Sequence, residues 1–111
     1  MTHKILCVDD ELSIRTILAK ALKAEGYDVI TAINGEEGVE VAESQEPDLI
    51  LLDIGLPGID GIETLTRIKK QNPDTVAIMI TAEGTIESAV SAMRAGARNY
   101  IQKPFNTECS S

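Results

Sequence analysis

Five short apolar runs separated by four segments of helical period constrain this chain more than any other feature. The runs are Ile5 to Val8, Tyr27 to Ala32, Leu49 to Leu52, Val76 to Ile80 and Asn99 to Gln102. Runs this short suit strands buried on both faces, as in a parallel sheet. Between them, Ile14, Ile17, Leu18, Ala21 and Leu22 share one face of a first helix, and Gly26 stops it. A second helix over Gly35 to Gln45 turns Val39 and Ala42 inward before Pro47. Ile62, Leu65 and Ile68 form a third stripe that ends before Pro73; Ile86, Ala89, Val90 and Met93 form a fourth, closed by Gly96. All four stripes are read as core. Strands alternating with helices require right-handed crossovers, so the expected fold is α/β, a doubly wound five-stranded parallel sheet with helices on both faces.

Length and charge narrow the function. The 111 residues suffice for one core, and ten Lys and Arg against eighteen Asp and Glu leave a net charge of −8. That field repels phosphate backbones, so the domain is not expected to bind nucleic acid directly. No apolar run approaches the ~20 residues that span a bilayer, which excludes a membrane helix. The N-terminal apolar stretch is too short for a signal peptide, and a cytoplasmic location is expected. Cys7 reads as a small core residue, and Cys7 and Cys109 do not make a disulfide framework. His3 reads as a solvated side chain. The chain after Gln102 is too short and polar for a fifth amphipathic helix, so that helix is expected to be missing. A domain over 1–105 and a tail over 106–111 follow. The apolar surface left under the first and fifth strands would favour a homodimer, domain exchange or aggregation.

In an open sheet of this kind ligands bind beyond the carboxyl ends of the strands, where strand order reverses. The first strand ends in Asp9-Asp10, the third in Asp53, the fourth in Thr81 and the fifth in Lys103. A flavodoxin-like order, 2-1-3-4-5, brings Asp9, Asp10 and Asp53 into one pocket. Packed carboxylates repel by roughly several kcal/mol per close pair at low effective dielectric, and either a raised pKa or a held cation relieves this; charge counting favours the cation. Three carboxylates and one lysine sum to −2, and oxygen-only ligands point to a hard ion such as Mg²⁺. Asp9-Asp10 taken alone reads equally as a loop start that caps a helix beginning near Leu12. Asp53, on a rigid strand beneath the loop Ile54 to Gly58, is placed to attack phosphorus as a nucleophile. Lys103 would neutralise the phosphoryl oxygens, and Thr81 would donate its hydroxyl to them.

These residues resemble the receiver domain of two-component response regulators. The resemblance rests on Asp9-Asp10-Glu11, Asp53 followed by Leu56-Pro57 and Asp60-Gly61, Thr81-Ala82, Ala95-Gly96-Ala97 and Lys103-Pro104-Phe105. It runs from Lys4 to Phe105. Its stretch from Thr81 to Phe105 is most similar to receivers of nitrogen-regulation-type transcriptional activators. The resemblance implies that Asp53 is the phosphoacceptor, that Asp10 and Asp53 bind Mg²⁺ directly and that Asp9 acts partly through water. It implies the Gly55 carbonyl as a further ligand. It also implies a switch in which Thr81 moves toward the phosphoryl group and Tyr100 turns inward, changing the surface of the fourth helix and fifth strand around Met93. Implied partners are a sensor histidine kinase or phosphotransfer protein and a C-terminal output domain. Gly55 is small for its place in this family, which predicts a shorter-lived phosphoryl group.

Other classes fit less well. An Asp-nucleophile phosphatase places a second acid two residues after the nucleophile, where this chain has Gly55. A flavin or nucleotide module would need a glycine-rich phosphate loop after the first strand. A pseudo-receiver used only for protein contacts would not need Asp9, Asp10, Asp53, Thr81 and Lys103 together. The expected role is a switch that catalyses only its own phosphorylation and dephosphorylation, rather than an enzyme acting on outside substrates.

Overall fold

The computed structural model describes residues 3–53, 61–81 and 86–102, with the side chains at 81, 86–89, 100 and 102 outside that description. The elements run β1 (Lys4–Val8), α1 (Leu12–Ala24), β2 (Asp28–Ala32), α2 (Gly35–Gln45), β3 (Leu49–Asp53), α3 (Gly61–Gln71), β4 (Val76–Thr81), α4 (Ile86–Arg94) and β5 (Asn99–Gln102). Every strand pairing is parallel, and the order is β2-β1-β3-β4-β5, as expected from the sequence. The expectations on the fifth helix and on residues 103–111 lie outside the described residues.

The continuous apolar runs divide by alternation. Leu6, Val8, Ile50, Leu52, Ala77 and Met79 enter one core cluster, which Ala42 of α2, Leu65 and Ile68 of α3 and Ala92 of α4 complete. Their strand neighbours Ile5, Cys7, Leu51 and Ile80 enter a second cluster, against which Leu18 and Leu22 of α1 pack. A period of two thus serves both faces with apolar side chains, and this is why the runs of the three inner strands β1, β3 and β4 carry no polar interruption.

Helix ends follow local chemistry. Asn34 caps α2 by accepting from the Glu37 N–H at 2.8 Å, while Glu37 Oε1 accepts from the Ile33 N–H at 2.7 Å. The expected bounds of α2 match the observed ones. Gly26 and Gly96 take φ of +95° and +111°, and each closes its helix with paired 5→2 and 6→1 hydrogen bonds. Gly38 is required by proximity: a Cβ there would sit 3.0 Å from Val8 Cγ2, so α2 lies directly on β1.

Four expectations need correction. Ile17 and Ala21 are exposed, and α1 has no buried residue. Ile17 lies at the far edge of its stripe, while Leu18 and Leu22 meet the sheet. On α4, Val90 and Met93 are exposed and Ala92 is fully buried. That helix seats through Ala92 and turns Val90 and Met93 outward. Tyr27 precedes β2 rather than opening it, because its N–H closes the α1 terminus on Leu22 O at 3.1 Å. Under β1 the expected exposure is not found, with Ile5 and Cys7 buried, whereas Ile101 of β5 is 37% exposed. His3 is exposed as expected, with Nδ1 3.6 Å from Asp48 Oδ2.

Candidate functional site

The ladder dictates which acids meet. Val8 registers with Leu52, so the next residues along the two strands, Asp9 and Asp53, emerge side by side at the carboxyl edge of the sheet. Asp10 joins them. One carboxylate oxygen from each of Asp9, Asp10 and Asp53 lies within 4.8 Å of the others. Asp9 and Asp53 are 2% and 6% exposed, whereas Asp10 is open to solvent. Three hard oxygen donors, two of them withdrawn from water, form a group that could hold a divalent metal ion. The donor set fits Mg²⁺, which takes oxygen ligands and retains waters.

Asp9 is fixed by its surroundings. Its N–H donates to Ala32 O at 3.1 Å, extending the β2 contact one residue past the strand. Its Oδ1 accepts from the Glu11 N–H at 2.9 Å, closing a small turn. Its carbonyl accepts from Arg15 Nη1 at 2.7 Å. The reading of Asp9-Asp10 as a helix cap is not what forms: Glu11 is the N-cap of α1 and its side chain makes no cap hydrogen bond. Arg15 did not stand out in the sequence, although a cation in a helix's first turn, against the macrodipole, is a signal that it has a partner elsewhere.

The charge is felt beneath the site. Burial, and secondly the Asp9 carboxylate, push the Cys7 thiol from 9.0 up to about 12. Cys7 is therefore a neutral core residue, as expected. The other site residues are placed in part. Thr81 ends β4 one position beyond Ile80, the ladder partner of Asp53, but its side chain lies outside the described residues. Tyr100 pairs with Met79 in β5, and its side chain is likewise outside. Gly55 and Lys103 are outside entirely. No described helix is long and apolar enough to cross a membrane.

Comparison with known proteins gives this arrangement its family. The family described as the response regulator receiver domain matches residues 5–109. The alkaline phosphatase synthesis transcriptional regulatory protein PhoP of Bacillus subtilis is 45% identical over 96% of this chain and 44% of its own length. The nitrogen assimilation regulatory protein NtrX of Azorhizobium caulinodans is 42% identical over 97% of this chain and 24% of its own. The chain thus spans less than half the length of these curated relatives. Among solved structures, a CheY-like receiver domain protein from Methanospirillum hungatei superposes with a TM-score of 0.92 at 36% identity, covering 98% of this chain and 87% of that one. NtrX from Brucella abortus gives 0.89 at 41% identity, over 98% of this chain and 25% of that one. With nearly its whole length matched, and with paired acids at the strand ends where such domains carry them, the chain belongs to the receiver domains of two-component response regulators.

Proposed function

We propose that the chain is a phosphorylation-controlled switch in which Asp53 accepts a phosphoryl group from a sensor histidine kinase or a phosphotransfer protein. The observation that carries this reading is the convergence of Asp9, Asp10 and Asp53 within 4.8 Å at the edge of β1 and β3. An Asp53 oxygen attacks phosphorus; the new P–O bond forms as the P–N bond to the donor imidazole breaks, and the released nitrogen regains a proton from solvent. Water later cleaves the acyl phosphate, returning the free carboxylate and inorganic phosphate. Both steps act on the chain's own side chain. Asp10, Asp53 and the Gly55 carbonyl, with Asp9 partly through water, would hold Mg²⁺, which would supply charge neutralisation for the phosphoryl oxygens. Lys103 adds a second positive charge there, and Thr81 donates its hydroxyl to the group once formed.

Phosphorylation replaces one negative charge by about two and adds acceptor oxygens. Thr81 turns toward them, Tyr100 moves inward, and the surface of α4 and β5 changes. Exposure of Val90 and Met93, at 44% and 49%, supports α4 as the surface read by a partner or output domain. In this reading the receiver occupies 1–105, works in the cytoplasm and controls transcription through an output domain, as the name of its Bacillus relative suggests. DNA contact belongs to that output domain, because this chain carries −8.

Intact mass after incubation with a small acyl phosphate tests the proposal. One phosphoryl group should add in Mg²⁺ and none in EDTA, and Asp53→Asn should abolish the gain. An unchanged gain in Asp53→Asn would overturn it.

A further inference from the structure

We infer that Arg15 is a positioning residue for the acidic cluster, holding the Asp9–Asp10 peptide so that both carboxylates face the cation; this rests on the Mg²⁺ reading above. The first support is its location. Arg15 stands in the first turn of α1, where no side chain is acidic and where the helix macrodipole disfavours a cation. Its backbone N–H starts the helix by donating to Glu11 O at 3.1 Å, but its side chain turns back past that turn. Nη1 reaches the Asp9 carbonyl at 2.7 Å in a partly buried setting, the length of a charge-assisted hydrogen bond.

The second support is what that carbonyl controls. The ladders of β1 end at Val8, so the Asp9 carbonyl needs a partner outside the sheet. The same planar peptide unit carries the Asp10 nitrogen. Clamping its oxygen therefore sets the rotation of the plane, and with it the direction in which Asp10 leaves the chain. The Asp9 side is held separately, by Ala32 O and the Glu11 N–H. Because Arg15 spends this bond on a carbonyl, it consumes no carboxylate oxygen.

Two effects of Arg15 on a bound cation oppose each other, and this makes the inference decidable. Its positive charge repels the ion, while its anchor pre-forms the site. The anchor is inferred to dominate. Arg15→Met should weaken Mg²⁺ binding about tenfold, as loss of a partner that orients metal ligands does. Arg15→Lys keeps the charge but offers a shorter, single-point donor, and should weaken it about threefold.

The test is calorimetric titration of the full chain with MgCl₂, alongside the thermal midpoint of each protein in EDTA. Tighter binding in Arg15→Met would overturn the inference in favour of simple repulsion. Unchanged affinity with a lowered midpoint in EDTA would overturn it in favour of a role in folding alone. Should Arg15→Met fail to fold, Arg15→Lys decides, and affinity equal to the parent's would overturn the inference. Failure of the parent itself to bind Mg²⁺ would overturn the cation site, a separate outcome.

Discussion

The two faces of the sheet are built unequally. On one, α2 and α3 pack together over Leu6, Val8, Ile50, Leu52 and Met79, and Leu65 and Ile68 are fully buried. On the other, α1 covers Ile5 and Cys7 without a single buried residue of its own, and Ile17 is 45% exposed. Both faces use the same apolar strands, so the contrast comes from the helices. On α2 the small residues Ala42 and Gly38 are buried against the strands, whereas α1 meets the sheet through the half-buried Leu18 and Leu22.

The largest expected effect tests the contrast directly. Leu65→Ala should cost about 3 kcal/mol, because a fully buried leucine leaves a cavity its neighbours cannot fill. Leu22→Ala on the α1 side should cost well under half of that, both read from urea midpoints at constant slope. Equal costs would break the comparison.

Gly38→Ala comes next. Alanine gains about 1 kcal/mol in helix propensity, but its methyl meets buried, branched Val8 at 3.0 Å, and overpacking costs about 1–3 kcal/mol. The clash should win by about 1 kcal/mol, and Val8→Ala in the same chain should recover much of the loss in a double-mutant cycle. A stabilised Gly38→Ala would show that α2 is less tightly seated than described. Least of all, Ile17→Gln should change stability by less than about 0.5 kcal/mol by thermal melting, since its side chain is already half in water.

The same asymmetry explains what could be read from the chain beforehand. Strand positions were legible because burial on both faces removes every polar interruption from runs such as Leu49 to Leu52. The C-terminal bound of α2 was legible because Pro47 follows it, and at its other end the structure shows the Asn34 cap. The inward faces of α1 and α4 were not. A stripe of apolar residues shows that a helix is amphipathic, but its angular width leaves room to roll. On α4 the decisive contact is Ala92, whose small side chain contributes little to any periodic signal. The acids were legible once β1 and β3 were neighbours, because strand ends need only counting. Arg15 was not, because its partner lies six residues back and depends on a side-chain conformation that spacing does not encode.

The short outer strands of the sheet bear on how copies of this chain meet. Among the described residues the outer strands β2 and β5 are five and four residues long, about 17 and 13 Å of backbone at ~3.3 Å per residue. Such short borders are poor templates for an added strand, which protects against runaway fibre growth. Any self-association should therefore come through helical surfaces, and would leave the strand ladder at five.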